Sequence, residues 1–128
     1  MADGVIFSDI MSHLVTRLST GLTAQGFTGT RVGILADDSD SQVILRRDGG
    51  VERSKTIMTD SIGVNVYETS YANAETLSRT VMALFDDLPD GNPIVDVSVE
   101  SSIQDVTDLK AQRRFMRFAV DHRGSNLN

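Results

Sequence analysis

The sequence predicts an α+β fold in which two helices pack on one face of a mainly antiparallel, four- to five-stranded sheet, in the order α-β-β-β-α-β-β. Two segments repeat apolar residues at intervals of three and four, several others alternate apolar with polar residues, and clusters of Gly, Pro and Asp separate them. At 128 residues and 40% hydrophobic content, the chain suits a single domain spanning 1–128 with one core.

The first helix is expected over residues 5–20, where Phe7, Ile10, Met11, Leu14, Leu18 and Leu22 form one stripe. Ser8 or Asp3 is placed to cap its start and Gly21 to end it. After a Gly-rich loop, Val32 and Ile34 alternate, as do Val43 and Leu45 beyond the acidic turn Asp37-Asp38-Ser39-Asp40. Asp48-Gly49-Gly50 reads as a turn within a polar hairpin arm at about 46–58. Ile62, Val64 and Val66 mark the third strand. Asn73 is the expected cap of the second helix, whose stripe is Leu77, Val81, Leu84, Phe85 and Leu88. Pro89 to Pro93 stops it, and Ile94 to Val99 gives the fourth strand. Ser101 to Lys110 reads as a loop, Gln112 to Asp121 as the fifth strand, and 124–128 as a frayed tail.

A net charge of −6 disfavours ordinary nucleic-acid binding and docking on anionic lipid, both of which draw on Lys and Arg. No run of apolar residues is long enough to cross a bilayer, so no membrane partner is expected. The absence of Cys removes disulfides, thiolate metal sites and Cys nucleophiles. The opening Met1 to Phe7 lacks the basic region of a signal peptide, which predicts a cytosolic origin.

Searches for catalytic chemistry find little. Gly21 to Thr28 imitates a phosphate loop until Phe27 stands where Lys is needed. His13 and His122 are the only imidazoles, fit no metal spacing, and are expected to be partly exposed. Asp37, Asp38 and Asp40, and likewise Asp86, Asp87 and Asp90, lack the ligand spacing of a calcium loop and read first as solvated turns. No cofactor, no metal and no enzymatic activity are expected. Basic residues cluster at Arg46, Arg47, Arg53 and Lys55 and again at Lys110, Arg113, Arg114 and Arg117. Opposite charges segregated in this way suit self-association, positive patch on negative patch, with a solvated face as the alternative. The subunit or partner interface is therefore assigned to Arg46, Arg47, Arg53, Lys55, Arg114 and Arg117.

An N-terminal helix and strand hairpin, then Ile62-Gly63-Val64-Asn65-Val66-Tyr67 leading into Ala74-Glu75-Thr76-Leu77-Ser78-Arg79, is similar to the tail terminator proteins of long-tailed bacteriophages. The close resembles them too: Val106, Asp108 and Arg113-Arg114-Phe115, then a strand ending at His122-Arg123-Gly124. The likeness runs from about Ser8 to Gly124 and rests on fold-like motifs, not chemical ones. It implies a homo-oligomer, a hexameric ring that caps the tail tube protein, ends its polymerisation and receives the head–tail connector or head-closure protein. It places the chain at the neck of the virion, after assembly in the host cytoplasm. Genome DNA would pass through without specific binding, past a lumen lined by one or both of the clusters Asp37, Asp38, Asp40 and Asp86, Asp87, Asp90. Another neck component (a head-closure or minor tail protein) and a cellular oligomeric binding module are the alternatives.

Overall fold

Two amphipathic helices need an apolar surface to cover, and a sheet with one dry face supplies it. The computed structural model describes residues 5–7 and 9–126. Its elements are β1 (Val5–Ile6), α1 (Ile10–Ala24), β2 (Arg31–Gly33), β3 (Gln42–Glu52), β4 (Ile57–Glu68), α2 (Tyr71–Asp86), β5 (Ile94–Val106), β6 (Gln112–Arg123) and β7 (Ser125–Asn126). The main sheet has strand order β2-β3-β4-β6-β5, and all its pairs are antiparallel except β2 with β3. The predicted α+β class, with two helices on a mostly antiparallel five-stranded sheet, is therefore what the chain adopts, with the short β1 added in front.

Strand alternation sends Val43, Leu45, Ile62, Val64, Val66, Met116, Phe118 and Val120 to one face, where all are buried. Onto them α1 lays Ile10, Leu14, Leu18 and Leu22, and α2 lays Leu77, Val81 and Phe85. Phe85 stacks flat on Phe118, with ring centroids 4.1 Å apart, fastening α2 to the middle of β6. Among the described residues, no helix covers the opposite face of the sheet.

Several local expectations are corrected. α1 starts at Ile10, because Val5 and Ile6 are extended and pair with Asn126 and Ser125. Its cap is Asp9, whose carboxylate accepts from the backbone N–H of Met11 at 3.0 Å; the candidates Asp3 and Ser8 lie outside the described residues. The same pairing turns Ser125 and Asn126 of the expected frayed tail into β7, while 127–128 lie outside the described residues. Gly21 does not end α1 but lies inside it against Leu84 of α2, where its missing side chain lets the helices approach. The helix ends at Ala24 and is stopped by Gly26, whose φ of +93°, with the bonds Phe27 N–H to Leu22 C=O and Gly26 N–H to Thr23 C=O, forms a Schellman motif.

The segments flanking the acidic turn run parallel, Arg31 beside Gln42, so loop 34–41 doubles back on itself. Asp48-Gly49-Gly50 makes no turn: it is a bulge in β3, with a register shift between Arg47 and Gly50 and Gly49 at φ +119°. The hairpin reverses at 53–56, where Arg53 N–H and Ser54 N–H both reach the Ile57 carbonyl. The expected arm is thus the far half of a β3–β4 hairpin, and its β4 side is held by β6 from Ile57 onward. Ser70, not Asn73, caps α2, accepting from the Asn73 N–H at 3.2 Å. β5 continues through the polar stretch Ser101 to Val106, which had the composition of a loop, because β6 supplies backbone partners as far as Val106.

Candidate assembly surface

The outer, helix-free face gathers three guanidinium groups around one carboxylate. Bulged Asp48 forms an ion pair with Arg46, Nε to Oδ1 at 2.7 Å, and accepts from Arg117 Nη2 at 3.1 Å. Arg113 donates through Nη2 to Asn65 Oδ1 at 2.8 Å and lies over the Tyr67 ring, while Arg117 lies over Phe115. Cation–π contact holds both heads, and Arg113 adds two N–H bonds to Asn65 Oδ1 where Arg117 adds one to Asp48. At the centre, Gly63 leaves a hollow of about 150 Å³ lined by Arg46, Asp48, Asn65, Arg113, Phe115 and Arg117. Any side chain at Gly63 would press on Asp48 and Phe115. In a chain of net charge −6, this face is locally cationic.

The structure joins only some of the predicted interface residues. Arg46 and Arg117 meet on Asp48. Arg47 is the register partner of Ile62, which places it on the helix side of the sheet, where its charge acts on Asp9. Arg53 and Lys55 sit at the hairpin end, Arg53 donating to Thr59 Oγ1 at 2.5 Å near Asp121. Arg114 is not a surface residue. It is 2% exposed beneath α2, with Nε 3.2 Å from Glu75 and 2.9 Å from Asp105 and its head against the Tyr71 ring. Parity was the available signal: 114 shares the buried face with 116, 118 and 120.

His122, expected to be partly exposed, follows the same parity inward. It is 1% exposed, its Nε2 lies 2.6 Å from Oδ2 of Asp60, itself 2% exposed, and the Phe7 ring abuts its edge. Among the described residues, no nucleophilic side chain is bonded to this pair, and no group of three or more His, Asp or Glu is set to hold a metal.

The two acidic clusters stand apart, one in the loop before β3 and one at the end of α2. Asp37, Asp38 and Asp40 border an open groove of about 510 Å³ with Glu68, Asp108 and Lys110, beside the end of β4. Asp86 and Asp87 close α2, a helix of 16 residues and so about 24 Å long, whose first turn follows β4. Asp37 binds Arg31 at 3.1 Å and Asp90 binds Arg17 at 2.8 Å; Asp38, Asp40, Asp86 and Asp87 are exposed and make no ion pair among the described residues. The Ser39 hydroxyl and amide, with Arg31, hold the Asp37 carboxyl below its ordinary range. At Asp90, burial pushes upward, but the Asn92 amide and Arg17 outweigh it and the net shift is downward.

A depressed folded-state pKa stabilises above the unfolded value and is lost as pH falls through the folded one. Asp90→Asn is therefore expected to cost at most about 1 kcal/mol at pH 7, as befits a half-exposed pair, and nothing near pH 2. Urea midpoints of parent and variant at the two pH values measure this; a deficit that persists in acid would assign the cost to packing.

A comparison with the models of known protein families finds none that matches the chain, and a comparison with curated proteins finds no match either.

Proposed function

We propose that the chain is a structural subunit of a ring, a tail-terminator-like protein that caps a phage tail tube, ends its growth and offers the head–tail connector or head-closure protein a surface to attach to. The observation that carries this reading is the uncovered outer face. Two of its arginines, Arg113 and Arg117, lie over aromatic rings, and acidic groups stand exposed in the loop before β3 and at the end of α2. Such separation of charge on a rigid frame suits contacts between identical copies, and head-to-tail contacts around an axis close into rings. The sequence resemblance supplies the hexamer and the tube and head partners.

Six copies at −6 each bring about −36 to the ring, a potential that keeps phosphate from sticking to a channel wall. In this reading one or both of the clusters Asp37, Asp38, Asp40 and Asp86, Asp87, Asp90 face passing DNA. The test is electron microscopy of particles made without the protein. Overlong tails are expected; tails of normal length on leaking heads would reassign it to head closure, and intact infectious particles would end the reading. Asp86→Lys with Asp87→Lys is expected to slow DNA ejection while tail length stays normal, and unchanged ejection would remove these residues from the lumen.

A further inference from the structure

Leu35 is 74% exposed and Ile34 beside it 59%, yet the loop that presents them is firmly tied. Buried Gln42 donates through Nε2 to the carbonyls of Asp37 and Ser39, each at 2.9 Å, and accepts from the Asp37 N–H at 3.1 Å. Arg31 donates to the Leu35 carbonyl at 2.7 Å and pairs with Asp37. A loop fixed in advance loses little entropy on docking, so apolar side chains held out on it are suited to binding. Its next residues are acidic: Asp37, Asp38 and Asp40. The matching surface must therefore offer apolar area bordered by positive charge.

The outer sheet face has that composition. Phe115 lies beside the Gly63 hollow, and Arg46, Arg113 and Arg117 surround it with only Asp48 to offset three positive charges. We propose that the Ile34–Asp40 loop of one copy seats on the outer sheet face of the next, Leu35 against Phe115 and the Asp37 and Asp38 carboxylates towards Arg113 and Arg117. The proposal rests on the ring reading, for which it names the closing contact. It takes loop 34–40 out of the lumen and leaves Asp86 and Asp87 to that role. Loop and face are different surfaces of one chain, so the contact is heterologous: each copy gives a loop to one neighbour and takes a loop from the other.

The absence of native cysteine makes the contact directly testable. Ala36→Cys marks the loop; Ala119→Cys marks the face, two residues along β6 from Arg117 and so about 7 Å from it. With a short bismaleimide, the double variant is expected to give a ladder of covalent multimers, and each single variant none. Leu35→Ser is expected to weaken self-association roughly tenfold or more in sedimentation equilibrium, with an unchanged thermal midpoint because that side chain already stands in water. A parent that assembles while the double variant gives no ladder, or while Ala36→Cys alone crosslinks as strongly, overturns this contact and leaves the ring reading standing. Unweakened assembly of Leu35→Ser overturns it too. A parent that sediments as a monomer up to about 1 mM, with or without tail tubes, removes the ring reading itself.

Discussion

Asp60→Ala is expected to lower the free energy of unfolding by about 3–5 kcal/mol, the cost of truncating one partner of a buried ionisable pair. Both side chains are shut from water on the helix side of the sheet, where β4 and β6 meet their last register pairs and Phe7 closes the opening. The substitution strands His122 Nε2, which is bonded to Asp60, while Nδ1 has no partner among the described residues. Removing both polar groups avoids that penalty, so Asp60→Leu with His122→Leu is expected to recover most of the loss. Urea titrations of the parent, single and double variants decide the matter. A double variant as unstable as the single one would show that side-chain volume, and not the polar pair, is what the site requires. A third change bears on the same spot: a Cβ at Gly50 would collide with the Asp60 carboxylate, so the β3 bulge and the buried pair are built around each other.

The parts of the fold that were legible in the sequence are those whose cause is local. Ile10, Leu14, Leu18 and Leu22 bury together because they fall on one stripe, and Leu77, Val81 and Phe85 do the same. The misread stretches depend on a distant partner. Val5, Ile6 and Phe7 prolong the apolar stripe of α1, and only Ser125 and Asn126, more than a hundred residues on, draw Val5 and Ile6 into a strand. Ser101 to Val106 has loop composition, but an edge strand with a polar exposed side needs only the backbone of its neighbour. Asp-Gly-Gly is the same sequence whether it turns or bulges, and the choice falls to β4, which offers partners on both sides of it.

Charge clustering in sequence pointed to β3 and β6 but did not show which members share a face. Parity divides each cluster. On β6, Arg113 and Arg117 face outward while Arg114 is buried; on β3, Arg46 and Asp48 face outward while Arg47 does not. Alternation along Phe115 to Val120 was readable, and carrying it two residues back would have removed Arg114 from the interface. Carrying it two residues forward would have buried His122. The encounter of Arg46 with Arg117 across Asp48 was not readable, because it depends on the register of three strands and on where the bulge falls.

Phe118→Ala is expected to cost about 3–5 kcal/mol and to lower the thermal midpoint by about 10–20 °C, because a fully buried ring vanishes from a stacked pair and the core closes only partly behind it. Part of the loss belongs to the pair itself. A cycle with Phe85→Ala is expected to show coupling of about 0.5–1.5 kcal/mol, and strict additivity would mean that the rings act only as bulk. The same ring also sets the outer face. Side chains alternate along β6, so Phe118 fixed inward holds Arg117 and Ala119 outward; slipping one residue would exchange the cationic face for the core. Phe118→Leu keeps an apolar anchor at that parity, so this variant is expected to lose stability yet still self-associate at temperatures where it is folded. A folded Phe118→Leu protein that no longer self-associated would mean that the surface depends on the exact shape of the core beneath it and not only on the register that the core enforces.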